Sequence, residues 1–453
     1  MDETDGLPAT RRRWAMACAL LGVVLAGLDS AIANIALPTI ARDLGATDAA
    51  TIWVVNSYQL AVTVCLLPAA TLGEAWGLKR VYGCGLSLFT LASLACALSP
   101  TLPILVLSRL MQGVGGACMA ALGGALVRAI YPRAQLGRGF ATIALAVALS
   151  AALGPTLAAL ILSVAHWPWL FLVNVPLGLV AVPLFMSVAP RARRRPRVFD
   201  WWGALLNAAT FGLVVTGVDG LGGDARGLAV AELAAGLAFA GLLVWQQSRQ
   251  PAPMLPLDLL RIRLFALSMG TSVCSYAAQI LAYVSLPFLF QAVMHRSAVA
   301  TGLLVTPWPL LVAVAAPVAG RLSARHPAAV LGSIGLAALT CGLLLLATMP
   351  IVPADWDVAW RMGICGIGFG FYQTPNNITL MTAGPPERSG AASGMVAVAR
   401  TVGWSLGSAI VALIFGLRGS QGAGTCLYVA AGFAAVGAVV SVSRTGARPM
   451  IVA

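Results

Sequence analysis

The sequence predicts an all-α, polytopic membrane protein with fourteen transmembrane helices. Three observations predict this class: the composition, the recurrence of long apolar segments and the positions of the arginines. Of the 453 residues, 59% are hydrophobic and only 9% are charged, whereas a soluble domain carries about a quarter charged residues. A soluble protein of this size would still need a polar surface. The composition therefore favours a chain surrounded by lipid.

Fourteen apolar segments are long enough to cross about 30 Å of hydrocarbon as helices. All of them are expected to be helical, because backbone polar groups in lipid must be satisfied within their own segment. The predicted spans are 14–38, 51–72, 81–99, 103–127, 139–163, 168–188, 201–218, 228–246, 264–292, 299–319, 328–349, 358–381, 391–416 and 424–442.

The basic residues predict the orientation. With a cytoplasmic N-terminus, 21 of the 28 basic residues fall in cytoplasmic segments and four fall outside, while Arg109, Arg361 and Arg400 lie within spans. This bias predicts that both termini are cytoplasmic. It also accounts for the net charge of +13 without nucleic acid as a partner, because the positive residues lie in short loops between apolar segments.

A basic stretch at 191–197 divides the chain. Six predicted spans precede it, two follow it, and six more come after a loop at 247–263. The predicted organisation is an N-terminal six-helix half at 1–189, a linker with two inserted helices at 190–255, and a C-terminal six-helix half at 256–453. A weak repeat between the loops at 70–80 and 320–327 agrees with two related halves, which is a common plan of transporters.

Asp29 is the one carboxylate deep within a predicted span. It lies roughly 22 Å from the inner surface, and Arg109 of the fourth span lies roughly 9 Å from the outer surface, if each residue adds 1.5 Å. The two residues therefore share a depth in a core about 30 Å thick. Charged groups in lipid are functional candidates by default. The pair is either a proton-coupling site or a static ion pair.

Polar residues at helical spacing predict faces that line a cavity. The alternative is hydrogen bonding between helices, worth about 0.6 kcal/mol for each bond. Gln112 shares the helix face of Arg109, and Gly154-Pro155 permits a bend in the fifth span. The other candidate substrate-binding residues found from the spacing are Trp53, Asn56, Tyr276, Gln279, Tyr283, Tyr372, Gln373 and Asn376.

Several short matches to enzyme and metal-site motifs lie in sequence surroundings that do not fit those functions. The G-x-S-x-G match at 403–407 lies within a span, and the three histidines lie in loops, so a hydrolase triad is not expected. Lys79 has no P-loop context, which excludes a P-loop ATPase. The nine cysteines lack metal or disulfide spacing and are expected to pack as small apolar residues. We expect no enzyme activity, no cofactor and no metal.

Four further motifs resemble the major facilitator superfamily, and within it the fourteen-span drug:proton antiporter family. LDSAIANIALP at 28–38 is similar to the first-span pattern L-D-x-T-I-V-N-V-A-L-P, and RLMQGVGG at 109–116 to R-x-x-Q-G. HWPWLFLVNVPLG at 166–178 is similar to W-R-W-I-F-L-I-N-V-P-I-G. Gly154-Pro155 resembles the antiporter motif, although Ala158 and Ala159 replace its following glycines. The resemblance adds Asn34 and Tyr58 to the candidate substrate-binding residues.

The loop after the second span resembles G-x-L-A-D-R-x-G-R-K with departures. Ala70, Glu74 and Ala75 stand where the pattern has glycine, aspartate and arginine. The resemblance implies a role for this loop in conformational gating. With Gly154 and Pro155, the candidate gating residues are Glu74, Gly77, Lys79 and Arg80.

The resemblance implies a proton-coupled exporter of amphipathic small molecules in the inner membrane, with Asp29 and Arg109 in the coupling site. The expected partners are that substrate, protons and the bilayer; a periplasmic adaptor and an outer-membrane channel are a further option. An exporter of one endogenous metabolite and an uncoupled, transporter-like sensor stay open as alternatives. The later half contains no deep acid but does contain Arg361 and Arg400. We therefore expect neutral, monocationic or weakly anionic substrates and poor transport of dications.

Overall fold

The computed structural model describes residues 6–132, 135–190, 199–222, 226–250, 253–323, 325–350, 352–384 and 389–446. Within these ranges the chain is helical and has no strand. The first six long helices are α1 (Ala9–Asp43), α2 (Trp53–Trp76), α3 (Leu78–Ala97), α4 (Leu102–Ile130), α5 (Leu136–Val164) and α6 (Asn174–Val188). One-turn helices at Asp48–Thr51 and Trp169–Leu172 lead into α2 and α6.

Eight further long helices follow in the chain. These are α7 (Trp201–Gly220), α8 (Arg226–Ser248), α9 (Arg263–Phe288), α10 (Pro307–Leu322), α11 (Ala328–Ala347), α12 (Asp355–Thr382), α13 (Ser389–Arg418) and α14 (Ala423–Val442). A π-helical turn, Leu289–Val293, extends α9, the short helix Ala298–Val305 leads into α10, and a 3-10 helix, Ser443–Gly446, follows α14.

Twelve helical stretches of the described residues are long and apolar enough to cross a membrane. One of them, Gly394–Val442, contains both α13 and α14, and α12 with its acidic start and amide residues is not among the twelve. Every predicted span coincides with one of the fourteen long helices. The all-α membrane class is therefore confirmed, and the crossing of the bilayer by all fourteen helices stays a prediction.

The helices pack as two groups of six. In the first group α4 packs on α2 and α3, and α1 packs on α5 and α6. In the second group α12 packs on α10 and α11, and α9 packs on α13 and α14. The two groups meet along α1–α9, α2–α13 and α5–α10, while the inserted helix α7 packs on α8 and also contacts α2 and α13. We call the groups the N half and the C half.

The inserted pair is tied together at one end by Asp200. Its carboxylate accepts a hydrogen bond from the backbone N–H of Gly203 at 2.8 Å, which caps the start of α7. Gln246 and Gln247, at the end of α8, donate to the same carboxylate at 3.0 and 2.7 Å. The start of α7 and the end of α8 are therefore held next to each other.

The two halves close on each other at only one end of the bundle. We call the end at which α1 begins and α14 ends the termini side, and the other end the distal side. On the distal side one apolar core runs continuously through both halves. On the termini side the N half and the C half have separate apolar cores. The interface between the halves is therefore packed on the distal side.

Hydrogen bonds between the halves also lie towards the distal side. Gln291 of the turn after α9 donates to the carbonyl oxygen of Ile35 in α1 at 2.9 Å, and the hydroxyls of Thr156 and Thr306 lie 2.8 Å apart. Nearer the middle, the hydroxyls of Thr63 and Ser405 lie 2.9 Å apart. These three contacts lie on the distal side or near the middle of the bundle.

Candidate functional site

The candidate site is centred on an ion pair inside the N half. Arg109 donates from Nη1 to Oδ2 of Asp29 at 2.5 Å, and both residues are 1% exposed. α1 and α4 run in opposite directions, so the two residues meet at one depth. Two buried charges are stable together only if their remaining polar atoms are also satisfied.

Amide groups satisfy the second oxygen of the Asp29 carboxylate. Gln112 donates to Oδ1 from Nε2 at 2.8 Å, and its own carbonyl oxygen accepts from Arg109 at 2.5 Å. Asn174 at the start of α6 also donates to Oδ1, at 3.1 Å, and Ser93 accepts from Gln112 at 2.8 Å. The sequence reasoning missed Asn174 and Ser93. A buried amide in the quoted motif at 166–178 was the available signal for Asn174.

The guanidinium of Arg109 also contacts two aromatic rings and a backbone carbonyl. Its carbon lies 4.4 Å from the ring centre of Tyr58 and 5.5 Å from that of Phe171, and Nε donates to the oxygen of Val54 at 3.0 Å. Gly113 permits the approach of α2, because a Cβ there would lie 2.5 Å from the carbonyl oxygen of Tyr58. The candidate residue Tyr58 therefore covers the ion pair.

The polar face of α2 meets other helices. Trp53 donates from its indole to Asp219 of α7 at 2.8 Å, so it joins the inserted helix to the N half. Asn56 is buried with neither side-chain amide atom hydrogen-bonded, and Oδ1 of Asn34 in α1 also has no partner. Unsatisfied buried amides are costly. Asn34 and Asn56 are therefore positions where a ligand or water would gain hydrogen bonds.

A cluster of aromatic and amide side chains lies along α9. Gln373 of α12 donates to the hydroxyl of Tyr276 at 3.0 Å, and Trp404 of α13 donates to Gln279 at 3.2 Å. The rings of Tyr276 and Trp404 are in edge contact, with centres 6.0 Å apart. Two turns further along α9, Tyr283 makes an edge contact with Trp308 of α10. The predicted face of α9 thus forms one connected set.

Tyr372 and Asn376 are engaged within the C half instead. Asn376 donates to the hydroxyl oxygen of Ser272 at 2.8 Å and accepts from Arg444 at 2.5 Å. Tyr372 donates to the same serine at 3.2 Å. Both candidates are almost fully buried, so their polar atoms face these partners. Gln373 hydrogen-bonds Tyr276 of the aromatic cluster directly, whereas Tyr372 is connected to Tyr276 through the ring of Phe369.

Arg444 is a buried cation that the arginine distribution had placed in a loop. It lies in the 3-10 helix after α14, is 2% exposed, and also donates to Ser268 and Ser441. Burial lowers the pKa of its guanidinium. Arg444 joins the termini-side ends of α9, α12 and α14.

The candidate gating residues lie at two places. Gly77 links α2 to α3 with φ +100°, a backbone conformation that favours glycine. Close to it in the chain, the side chains of Glu74 and Arg80 are exposed and that of Lys79 is half-buried. Gly154 packs against Ala31 of α1, and a Cβ at Gly302 would lie 2.5 Å from the carbonyl oxygen of Pro155. α5 therefore touches both the helix of Asp29 and the C half.

A sequence profile of the Major Facilitator Superfamily matches residues 19–408. The chain belongs to this superfamily. Among curated relatives, "Uncharacterized transporter YebQ" of Escherichia coli (strain K12) is 49% identical over 443 residues, which are 97% of each chain. "Multidrug resistance protein Stp" of Mycobacterium tuberculosis (strain CDC 1551 / Oshkosh) is 34% identical over 400 residues, or 86% of this chain and 73% of the relative.

Solved structures show the major facilitator fold directly. A POT family transporter in complex with a thioalcohol conjugated peptide superposes with a TM-score of 0.73 at 14% identity, covering 95% of this chain and 96% of the other. This major facilitator is thus a multi-pass membrane transporter with relatives in multidrug resistance. It is a transporter and not an enzyme, as the sequence predicts.

Proposed function

We propose that this major facilitator is a proton-coupled exporter that exchanges protons for amphipathic small molecules by alternating access. The observation that carries the proposal is the Asp29–Arg109 ion pair with its two amide donors. Asp29 is the only acid deep in a long helix, so it is the single group that can bind a transported proton there. The multidrug resistance relative supports an amphipathic cargo.

In the proposed cycle a proton competes with Arg109 for the carboxylate. Protonation removes the negative charge that holds the guanidinium. Arg109 is then a buried cation without its counter-ion, which favours a conformation that gives it another partner or water. Ala31, two residues after Asp29 in α1, packs on Gly154 of α5. A movement of α1 at the ion pair would therefore also move α5. α5 packs on α10 of the other half. The N half (1–189) and the C half (256–453) are proposed to rock against each other, with the inserted pair (190–255) bridging them.

The conformation described here is closed on the distal side. If both termini are cytoplasmic, the separate apolar cores of the termini side open towards the cytoplasm. Substrate would enter there and would leave after the halves close on that side. We propose that the exporter lies in the inner membrane in this orientation.

Transport into inverted membrane vesicles tests the coupling. An imposed pH gradient, with an acidic lumen, should drive uptake of N-phenylnaphthylamine, an uncharged amphipathic fluorophore. Asp29→Asn should abolish this uptake while the protein still folds and inserts. Asp355→Asn is the matched control, because Asp355 is an exposed acid paired with Arg296 on the distal side. Undiminished gradient-driven uptake by Asp29→Asn would exclude the proposed role of Asp29.

The same assay separates the alternatives. An uncoupled transporter-like sensor would show no difference between vesicles with and without the gradient. An exporter of one endogenous metabolite would keep the proton dependence but would not accept several unrelated amphipaths. A purification of the intact complex from native membranes tests for a periplasmic adaptor and an outer-membrane channel.

Reporter fusions test the orientation. Fusions at Arg194, which lies outside the described residues, and after Ala453 should both report the cytoplasm, because 21 of the 28 basic residues then lie on that side. An external signal at either position would contradict fourteen spans. A fusion at Gly222, just after α7, should report the opposite side.

A further inference from the structure

The C half holds a second deep cation, Arg400, that the coupling pair does not use. Arg400 is eleven residues from the start of α13, so it lies roughly 16 Å along that helix and near the middle of a core about 30 Å thick. It is partly exposed, and its Nε–H is buried without a hydrogen-bond partner. None of the ion pairs among the described residues includes Arg400.

Asp29 and the acids of α9 to α14, all among the described residues, have partners other than Arg400. The carboxylate of Asp29 is occupied by Arg109, Gln112 and Asn174. The only acids within α9 to α14 are Asp355 and Asp357 at the distal end of α12, and they pair with Arg296 and Arg361. Arg361 is thereby neutralised, and Arg400 keeps an unbalanced positive charge at mid-membrane depth.

The surroundings of Arg400 suit an aromatic ligand. Its guanidinium carbon lies 5.4 Å from the ring centre of Trp404, and the indole of Trp404 is fixed by Gln279 and by the edge contact with Tyr276. The N half adjoins this position, because Thr63 of α2 lies 2.9 Å from the hydroxyl of Ser405, five residues after Arg400 in α13. A rigid aromatic surface therefore adjoins an unpaired guanidinium at the interface of the halves.

We infer that Arg400 is the anion-recognition residue of the substrate site, and that the preferred cargo is an amphipathic monoanion with an aromatic body. A carboxylate or sulfonate would accept charge-assisted hydrogen bonds from the guanidinium, while its aromatic part would stack on the partly exposed ring of Trp404. A cation would be repelled at the same position. The inference deepens the proposed function, on which it rests for the direction of transport.

Equilibrium binding to the full-length protein in lipid nanodiscs tests the inference without any gradient. The probes are anilinonaphthalene sulfonate, a monoanion, and N-phenylnaphthylamine, which has the same aromatic body without the sulfonate. Protein-free nanodiscs provide the lipid background. Arg400→Gln should weaken binding of the sulfonate at least about tenfold, since a hydrogen bond to a charged group is worth about 1.5–3 kcal/mol. It should leave binding of the naphthylamine unchanged.

Two variants serve as references. Arg418→Gln removes a positive charge from the exposed distal end of the same helix, where the Arg418 guanidinium hydrogen-bonds Thr425, and it should not change the binding of either probe. Arg400→Lys keeps the charge and should retain part of the preference for the sulfonate. Unchanged sulfonate binding by a folded Arg400→Gln protein, or equal loss of both probes, would overturn the inference.

The failure of the proposed function gives a different result. If Asp29→Asn still accumulates the naphthylamine under a pH gradient, proton coupling through Asp29 fails, whatever Arg400 binds. If coupling holds at one proton per monoanion, each cycle moves two positive charges inward. A lumen-positive potential in inverted vesicles should then accelerate sulfonate uptake more than naphthylamine uptake. No response of sulfonate uptake to the potential would contradict export of the substrate as an anion.

Discussion

Asn174 donates a hydrogen bond to the carboxylate of Asp29 across 3.1 Å, from the first residue of α6 to the middle of α1. Gln112 donates to the same oxygen, Oδ1, while Arg109 donates to Oδ2. The carboxylate of α1 is therefore held by donors from two other helices, α4 and α6, and its orientation depends on how the three helices pack. This arrangement makes Asn174 a positioning residue for the proposed coupling site.

Replacement of Asn174 by alanine should lower gradient-driven transport by about tenfold. One hydrogen bond to a charged group is worth about 1.5–3 kcal/mol, and its loss lets the carboxylate leave its position. Asn207→Ala is the matched control, because Asn207 is also a buried amide and donates to the backbone oxygen of Val64 far from the ion pair. The transport rate and the thermal unfolding temperature are measured for both variants. Equal losses of transport would show that Asn174 contributes only to helix packing.

Gly302→Ala should weaken the distal closure. A Cβ at this position would lie 2.5 Å from the carbonyl oxygen of Pro155 and 2.7 Å from the Cβ of Ala159, so α5 and the short helix Ala298–Val305 must separate. Overpacking of this kind costs about 1–3 kcal/mol, and the population should shift towards a state open on the distal side. Labelling of a cysteine placed near Gln291 measures the shift. Gly424→Ala, in open space, should label like the wild type.

Thr63 and Ser405 should be energetically coupled across the interface of the halves. Their hydroxyls lie 2.9 Å apart in α2 and α13, and hydrogen bonds between membrane helices average about 0.6 kcal/mol. A double-mutant cycle with Thr63→Val and Ser405→Ala, read from unfolding free energies, should give an interaction energy of about that size. Thr71→Val, which loses only a bond within α2, should be additive with Ser405→Ala. Additivity in the Thr63 cycle would show that the contact contributes nothing.

Arg444→Met should destabilise the C half by about 1–3 kcal/mol, because it leaves the buried oxygen of Asn376 without its donor. The double variant Arg444→Met with Asn376→Leu should recover part of that loss, since removing both partners avoids an unpaired buried group. Unfolding free energies of the purified protein measure both effects. A double variant less stable than the sum of its single substitutions would contradict this account.

Much of the fold was predictable, because lipid imposes simple rules on a sequence. A span must be apolar and helical, so runs such as 14–38 and 328–349 correspond to α1 and α11. The deep charges were visible for the same reason. Asp29 and Arg109 stand out in apolar segments, and helix length alone placed them at one depth.

The partners of polar residues were less predictable, because spacing along a helix shows which residues share a face and not which helix they meet. Trp53, Asn56 and Gln59 share a face of α2, yet Trp53 bonds Asp219 of an inserted helix. Gln373 contacts the cluster of Tyr276, whereas Asn376, one turn away, bonds Arg444. Arg444 itself, counted as a loop residue, is buried because the 3-10 helix after α14 packs on α9 and α11, and its side chain reaches Asn376 of α12.

The sequence by itself thus determined the class of protein, the number and order of the long helices, and the identity of the deep ion pair. These depend on hydrophobicity and helix geometry, which are local properties. Only the tertiary structure decided that Asn174 completes the Asp29 site, that Arg400 has no acid partner among the described residues, and that the halves close on the distal side. These depend on which helices become neighbours, and that is set by packing between segments far apart in the chain.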